Sequence, residues 1–149
     1  MTPIIYASST DCEAAFYRAF EKADLAAMMA VWAEDDEVVC IHPGGPRLCG
    51  LDTVRESWRS IFAAGPGLRI GISHRVITAT LQTAIHTLHE NLSVPGEPRE
   101  RAPILATNVY LRTERGWRML LHHASPTPPA TPRAPPGPSR GPGPAPLLH

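Results

Sequence analysis

Four extended, β-rich segments fill residues 68–79, 81–93, 102–113 and 116–124, and only short turns separate each from the next. Two of those turns carry strong signals, Pro95-Gly96-Glu97-Pro98 and Thr113-Glu114-Arg115-Gly116. Such short connections return the chain antiparallel to itself, because a parallel pair needs a crossover of roughly a dozen residues or more. The second half of the chain is therefore predicted to be an antiparallel meander. Several of its strands are apolar on both faces, as at Ile104-Leu105 and Met119-Leu120-Leu121. One face can be covered by helices; the other calls for a partner, so a homodimer built on the sheet is expected.

The first half supplies the cover. Thr10-Asp11-x-Glu13 reads as a helix start, and Ala15, Phe16, Ala19, Phe20 and Ala23 follow at helical spacing. Asp24 is placed to cap a second helix with Leu25, Met28, Met29 and Trp32 as its apolar stripe. Glu37–His42 is a short strand stopped by Pro43-Gly44-Gly45-Pro46, and alternation sets Val38, Cys40 and His42 on one face. A third helix begins near Leu51-Asp52, buries Val54, Trp58, Ile61 and Phe62, and stops at Gly65-Pro66-Gly67. Three helices, one early strand and a meander make an α+β layout.

A chain of 149 residues suits one domain, here residues 1–125. Residues 126–149 hold ten of the 17 prolines and are read as a disordered or polyproline-like tail, whose Pro132-Arg-Ala-Pro135 matches the loose Pro-x-x-Pro pattern. Without Arg133 and Arg140 the body has 12 basic against 14 acidic side chains, which argues against a nucleic-acid partner. No run approaches the roughly 18 apolar residues of a membrane span, and the N-terminus shows no basic and apolar leader. A cytoplasmic protein is expected. Cys12, Cys40 and Cys49 are odd in number and lack Cys-x-x-Cys spacing, so buried free thiols are expected.

Few motifs carry chemistry on their own. His122 and His123 are adjacent on a strand and point to opposite faces; parity with Trp117, Met119 and Leu121 puts His123 inward and His122 outward. His86 and His89 also fall on opposite faces, so no metal site and no cofactor is expected. Ser57 and Ser73 lack a nucleophile elbow, and no Gly-rich phosphate loop is present. Trp32, Trp58 and Trp117 lie on apolar stripes as core residues, with a place at a cavity mouth as the alternative for Trp32 and Trp58. Tyr110 shares parity with Asn108.

The order helix, helix, strand, helix, meander, together with several short stretches, resembles the nuclear transport factor 2-like superfamily, also called SnoaL-like or ketosteroid-isomerase-like. Those stretches are Lys22-Ala-Asp24-Leu25, Trp32-Ala-Glu-Asp35, His42-Pro-Gly-Gly45, Gly50-Leu-Asp-Thr-Val-Arg-Glu-Ser-Trp58 and Gly116-Trp-Arg-Met-Leu-Leu-His-His-Ala-Ser-Pro126. The last strand is also similar to the end of the calcium/calmodulin-dependent kinase II association domain. The resemblance implies a cone: three helices packed on a curved, mostly antiparallel sheet, with a cavity at the open end. It places His42 where the isomerases carry their catalytic Asp base, and Asn108 at the position of their late oxyanion-stabilising Asp. The isomerases' helix Tyr falls on Phe16 by ungapped count, with Tyr17 next to it. Steroid isomerisation itself is therefore not expected.

The leading expectation is a domain that binds a small apolar organic ligand among His42, Asn108, Tyr17, Trp32, Trp58, Tyr110 and His123. As an enzyme it would be a cofactor-free isomerase, cyclase or dehydratase of a carbonyl compound, with His42 as general base and Asn108 polarising the oxygen. The alternative is a non-catalytic, homo-oligomerising interaction module.

Overall fold

Local side chains start and stop each helix. The structure, a computed structural model, describes residues 4–128. Helix α1 (Ser9–Lys22) is capped by Ser8, whose hydroxyl accepts from the Asp11 amide at 3.0 Å, so the helix begins just ahead of the expected Thr10-Asp11 start. Ala23 closes α1 in the left-handed region (φ 51°), and Asp24 caps α2 (Leu25–Val31) by accepting from the Ala27 amide at 3.0 Å. The two helices are thus joined by a turn of only two residues. Strands β1 (Val39–Ile41) and β2 (Leu48–Cys49) flank the Pro-Gly-Gly-Pro turn, and α3 (Leu51–Phe62) follows directly.

The meander forms as its turns require: β3 (Arg69–Ala79), β4 (Thr83–Ser93), β5 (Ile104–Thr113) and β6 (Gly116–Pro126). All three neighbouring pairs are antiparallel. The early strand β1 adds to β6 in parallel, with Val39 opposite Leu121 and Ile41 opposite His123. The result is a six-stranded mixed sheet of order β2-β1-β6-β5-β4-β3 that curls without closing, with the three helices packed on it.

Two bulges break the alternation. Between β5 and β6 the register runs Val109 with Leu121 and then Tyr110 with Met119, so Leu120 is the extra residue. An inserted residue shifts parity, and Met119 and His122 are therefore both buried on the helix side. This corrects the expected facing of the histidine pair: His122 points inward and His123 is exposed on the outer face. The second bulge lies in β3 between Ser73 and Val76, where His74 adopts φ 53°.

Phe16, Met28, Val31, Trp32, Val54, Trp58, Tyr110 and Met119 make the heart of the core. Ile61 is exposed, because α3 turns mainly Val54 and Trp58 inward. Cys49 is also exposed rather than buried, whereas Cys12 and Cys40 are enclosed and burial pushes each thiol up to about 12. From residue 129 onward the expected Pro-rich tail, with its Pro-x-x-Pro match, lies outside the described residues. Among the described residues no helix is long and apolar enough to cross a membrane.

On the outer face Val39, Leu121, Val109 and Ile85 stand in one register line across four strands. Ile85 is 40% exposed, and Leu105 and Val76 are exposed nearby on the same face.

Gly116 opens β6 at φ 84°, and a Cβ there would sit 2.7 Å from the Tyr6 carbonyl oxygen. That oxygen accepts from the Trp117 amide at 2.9 Å and ties the N-terminal segment to the sheet. Gly116→Ala should cost about 3 kcal/mol through backbone strain plus this clash. Gly96→Ala, at φ 92° with nothing within 4 Å, carries the strain alone and should cost less. Urea unfolding of the two variants measures the difference, and equal losses would count against the Tyr6 contact.

Candidate functional site

A line of polar side chains runs through the interior from α1 across three strands. Tyr17 donates to Glu90 Oε2 at 2.7 Å, and Asn108 Nδ2 donates to the Tyr17 oxygen at 3.0 Å. The Asn108 carbonyl oxygen in turn lies 2.6 Å from His122 Nδ1. All four side chains are buried. Chemistry sets the proton directions: an amide oxygen only accepts, so His122 carries its proton on Nδ1 and its lone pair on Nε2. Burial pushes the Glu90 carboxyl up to about 7, with the Tyr17 hydrogen bond opposing. Tyr17 is held well above its ordinary value by burial and by the Glu90 charge. His122 is pushed down to about 3, first by burial and then by the neighbouring His42 and His123.

His42 ends β1's course at the turn and is half-buried. Its Nε2 lies 3.0 Å from Ser57 Oγ and 3.6 Å from Cys40 Sγ, and the Ser57 hydroxyl donates to the Val54 carbonyl at 2.7 Å. Ser57 has therefore spent its proton, so His42 donates from Nε2 and keeps a lone pair on Nδ1. The ring meets Trp58 edge to face at 4.9 Å between centroids. Burial lowers the His42 pKa, which keeps the imidazole neutral near pH 7.

The fold gathers most of the expected residues but joins them to one another. Tyr17 and Asn108 belong to the buried polar line, and Trp58 packs against both His42 and His122. Trp32 Nε1, Trp58 Nε1 and the Tyr110 hydroxyl are buried without a hydrogen-bond partner. His123 is exposed on the opposite face and takes no part, for the bulge reason given above. Surface hollows of about 330 Å³, beside Glu34 and Arg115, and about 280 Å³, beside Tyr6 and Arg18, are lined by none of the seven residues expected to bind a ligand.

Sequence reasoning gave no site role to Glu90, His86, Glu13 or His122. A signal existed for the first two: Ala84, His86, Leu88, Glu90 and Leu92 share one parity of β4, and polar groups on such an apolar face need buried partners. Glu13 likewise sits one turn before Phe16 and Tyr17 on α1.

A family model described as a SnoaL-like domain matches residues 10–130. A crystal structure from Thiobacillus denitrificans, provisionally described as a calcium/calmodulin-dependent protein kinase type II association domain, is 44% identical. That match covers 84% of this chain and 99% of the other, with a TM-score of 0.76. A Streptomyces avermitilis protein, provisionally described as a dehydratase of the NTF2-like family, is 32% identical over 78% of this chain and 91% of that one, with a TM-score of 0.70. The F-box protein SKIP8 of Arabidopsis thaliana is 32% identical over 111 residues, 74% of this chain. Those residues are 46% of SKIP8, so the chain spans about half the length of that curated relative.

Stability should report the buried carboxyl. Glu90 titrates near 4.5 when unfolded and near 7 when folded, so its contribution is full below about pH 4.5 and is lost as pH climbs to about 7. His122 acts in the opposite sense: with about 3 folded against 6.5 unfolded, stability is gained as pH rises through that window. The two offset each other between about pH 4.5 and 6.5. Glu90→Gln removes only the first. Its stability should therefore rise relative to the wild type by about 3 kcal/mol between about pH 4 and about pH 8. Denaturant midpoints across that range test this, and parallel curves for the two proteins would mean that Glu90 titrates like an exposed carboxyl.

Proposed function

The chain belongs to the SnoaL-like domain family, and from that premise we propose that it works as a self-associating interaction domain whose outer sheet face receives a second copy. The carrying observation is the register line of Val39, Leu121, Val109 and Ile85 on the face away from the helices. Two copies related by a twofold axis would lay this line against itself and remove it from water, as an isologous interface requires. The partner is a second copy because the line is apolar and the adjoining row of Ile41, His123, Thr107 and Thr87 holds no carboxylate, lysine or arginine to set like charge against like. Likeness to the Thiobacillus association domain supports the same reading. So does part of the interior, where Tyr17 and Asn108 are hydrogen-bonded to each other, to Glu90 and to His122 Nδ1. Sedimentation of the protein at micromolar concentration should give a dimer or larger assembly, and Ile85→Lys with Val109→Lys, which sets like charge against like across the twofold, should give a folded monomer. A wild type that sediments as a monomer overturns the reading.

A second reading keeps a small apolar carbonyl compound as ligand, and one observation favours it. His42 is half-buried and neutral, with Nδ1 uncommitted, as a general base needs. The Streptomyces protein provisionally described as a dehydratase supplies the analogy. Asn108 would have to release the Tyr17 oxygen before its amide could polarise a substrate oxygen. In proton-exchange assays on carbonyl compounds, His42→Ala should lower the rate of any active compound by at least about 10²-fold. An unchanged rate removes His42 from the chemistry.

A further inference from the structure

A second buried polar group lies apart from the line through Asn108. His86 on β4 is fully enclosed; its Nδ1 is hydrogen-bonded to Glu13 Oε2, and its Nε2 lies 2.9 Å from Ser9 Oγ. Glu13 Oε1 accepts from Arg75 at 2.9 Å. Arg75 belongs to the bulged stretch of β3, where one extra residue breaks the pairing with β4. The Tyr110 ring packs against the His86 ring at 4.6 Å between centroids and holds its plane. Of Ser9, His86 and Glu13, only Ser9 is partly exposed, the other two being buried.

We propose that Ser9, His86 and Glu13 form a nucleophilic site for acyl transfer from small esters. The proton assignments follow from the partners. A carboxylate bound to the Arg75 guanidinium accepts, so His86 carries its proton on Nδ1 and presents the Nε2 lone pair to the Ser9 hydroxyl. Glu13 is the positioning residue: it fixes the tautomer and faces the imidazolium when that forms. Ser9 stands in the first turn of α1, where Ser8 takes the amides of Asp11 and Cys12 through its side chain and carbonyl. The amides of Ser9 and Thr10 have no intrahelical acceptor by position and are the donors closest in sequence for a developing oxyanion. Ile77, directly opposite His86 in the ladder and 42% exposed, offers an apolar surface for a short acyl group.

In the acylation step Ser9 Oγ attacks the ester carbonyl carbon and its proton passes to His86 Nε2. The tetrahedral intermediate then collapses, the bond from carbon to the leaving oxygen breaks, and that oxygen takes the proton from Nε2. Water repeats the sequence on the acyl-serine: it gives its proton to Nε2, attacks the carbonyl and releases the acid, and Ser9 recovers its proton. Water is the one co-reactant.

The competing reading is a buried imidazole satisfied by a carboxylate and a hydroxyl, with no reactivity. A fluorophosphonate separates the two, because it phosphonylates an activated serine with loss of fluoride. Full-length protein should gain a single adduct by intact mass, mapped to Ser9 by peptide sequencing, and should hydrolyse p-nitrophenyl acetate with a burst. Ser9→Ala leaves the Ser8 cap in place, so it should fold, lose the adduct and slow ester hydrolysis by at least about 10²-fold. Glu13→Gln should lower the limiting labelling rate without changing the reagent concentration at half saturation. No adduct on the folded wild type, an adduct elsewhere, or unchanged hydrolysis in Ser9→Ala overturns the proposal.

Discussion

Glu90, Tyr17, Asn108 and His122 can lie inside this protein only because each satisfies the next. A buried donor or acceptor left without a partner costs about 1–3 kcal/mol, and more for a charge. The line contains one carboxyl, one phenol, one amide and one imidazole, and their donors and acceptors alternate. It also binds α1 to β4, β5 and β6 at defined heights, since a slip of one residue in any strand would turn its polar group to the outer face. The helix layer and the sheet are thus registered by hydrogen bonds as well as by the packing of Phe16 and Trp58.

The two bulges do comparable work at the sheet. Leu120 lets Met119 and His122 share a side, which brings an imidazole to Asn108 that regular alternation would have turned outward. The irregularity between Ser73 and Val76 frees Arg75 to reach Glu13. In both places an extra residue in a strand aims a side chain at a buried partner, which is a recurring use of bulges. The outer face keeps its apolar register line all the same, because the pairing from Val39 through Leu121 and Val109 to Ile85 lies on one side of the Leu120 shift.

These arrangements show how one fold can hold both a lined interior and a bare sheet face. The same curled sheet offers a helix-covered side, where polar groups can be spent on one another or left for a ligand, and a bare side. Here Asn108 and Tyr17 are spent, His42 keeps one free lone pair, and His86 presents one to Ser9. Function is decided by which lone pairs and which apolar surfaces remain unused, and the fold alone does not decide it.

Much of the architecture was legible in the residues. Short turns required the antiparallel meander, Asp24 marked the start of α2, and the strand limits fell within a few residues of those expected. These features are local: a cap, a turn or an alternating stretch acts on neighbours along the chain. The parallel pairing of β1 with β6, the parity shift at Leu120 and the partnerships of Tyr17 with Glu90 and of Ser9 with His86 were decided by the tertiary structure. Tyr17 and Glu90 are 73 residues apart, and Ser9 and His86 are 77. No local preference couples positions so distant; they meet only when helix and sheet pack, and the need to satisfy buried polar groups then selects the register in which they do.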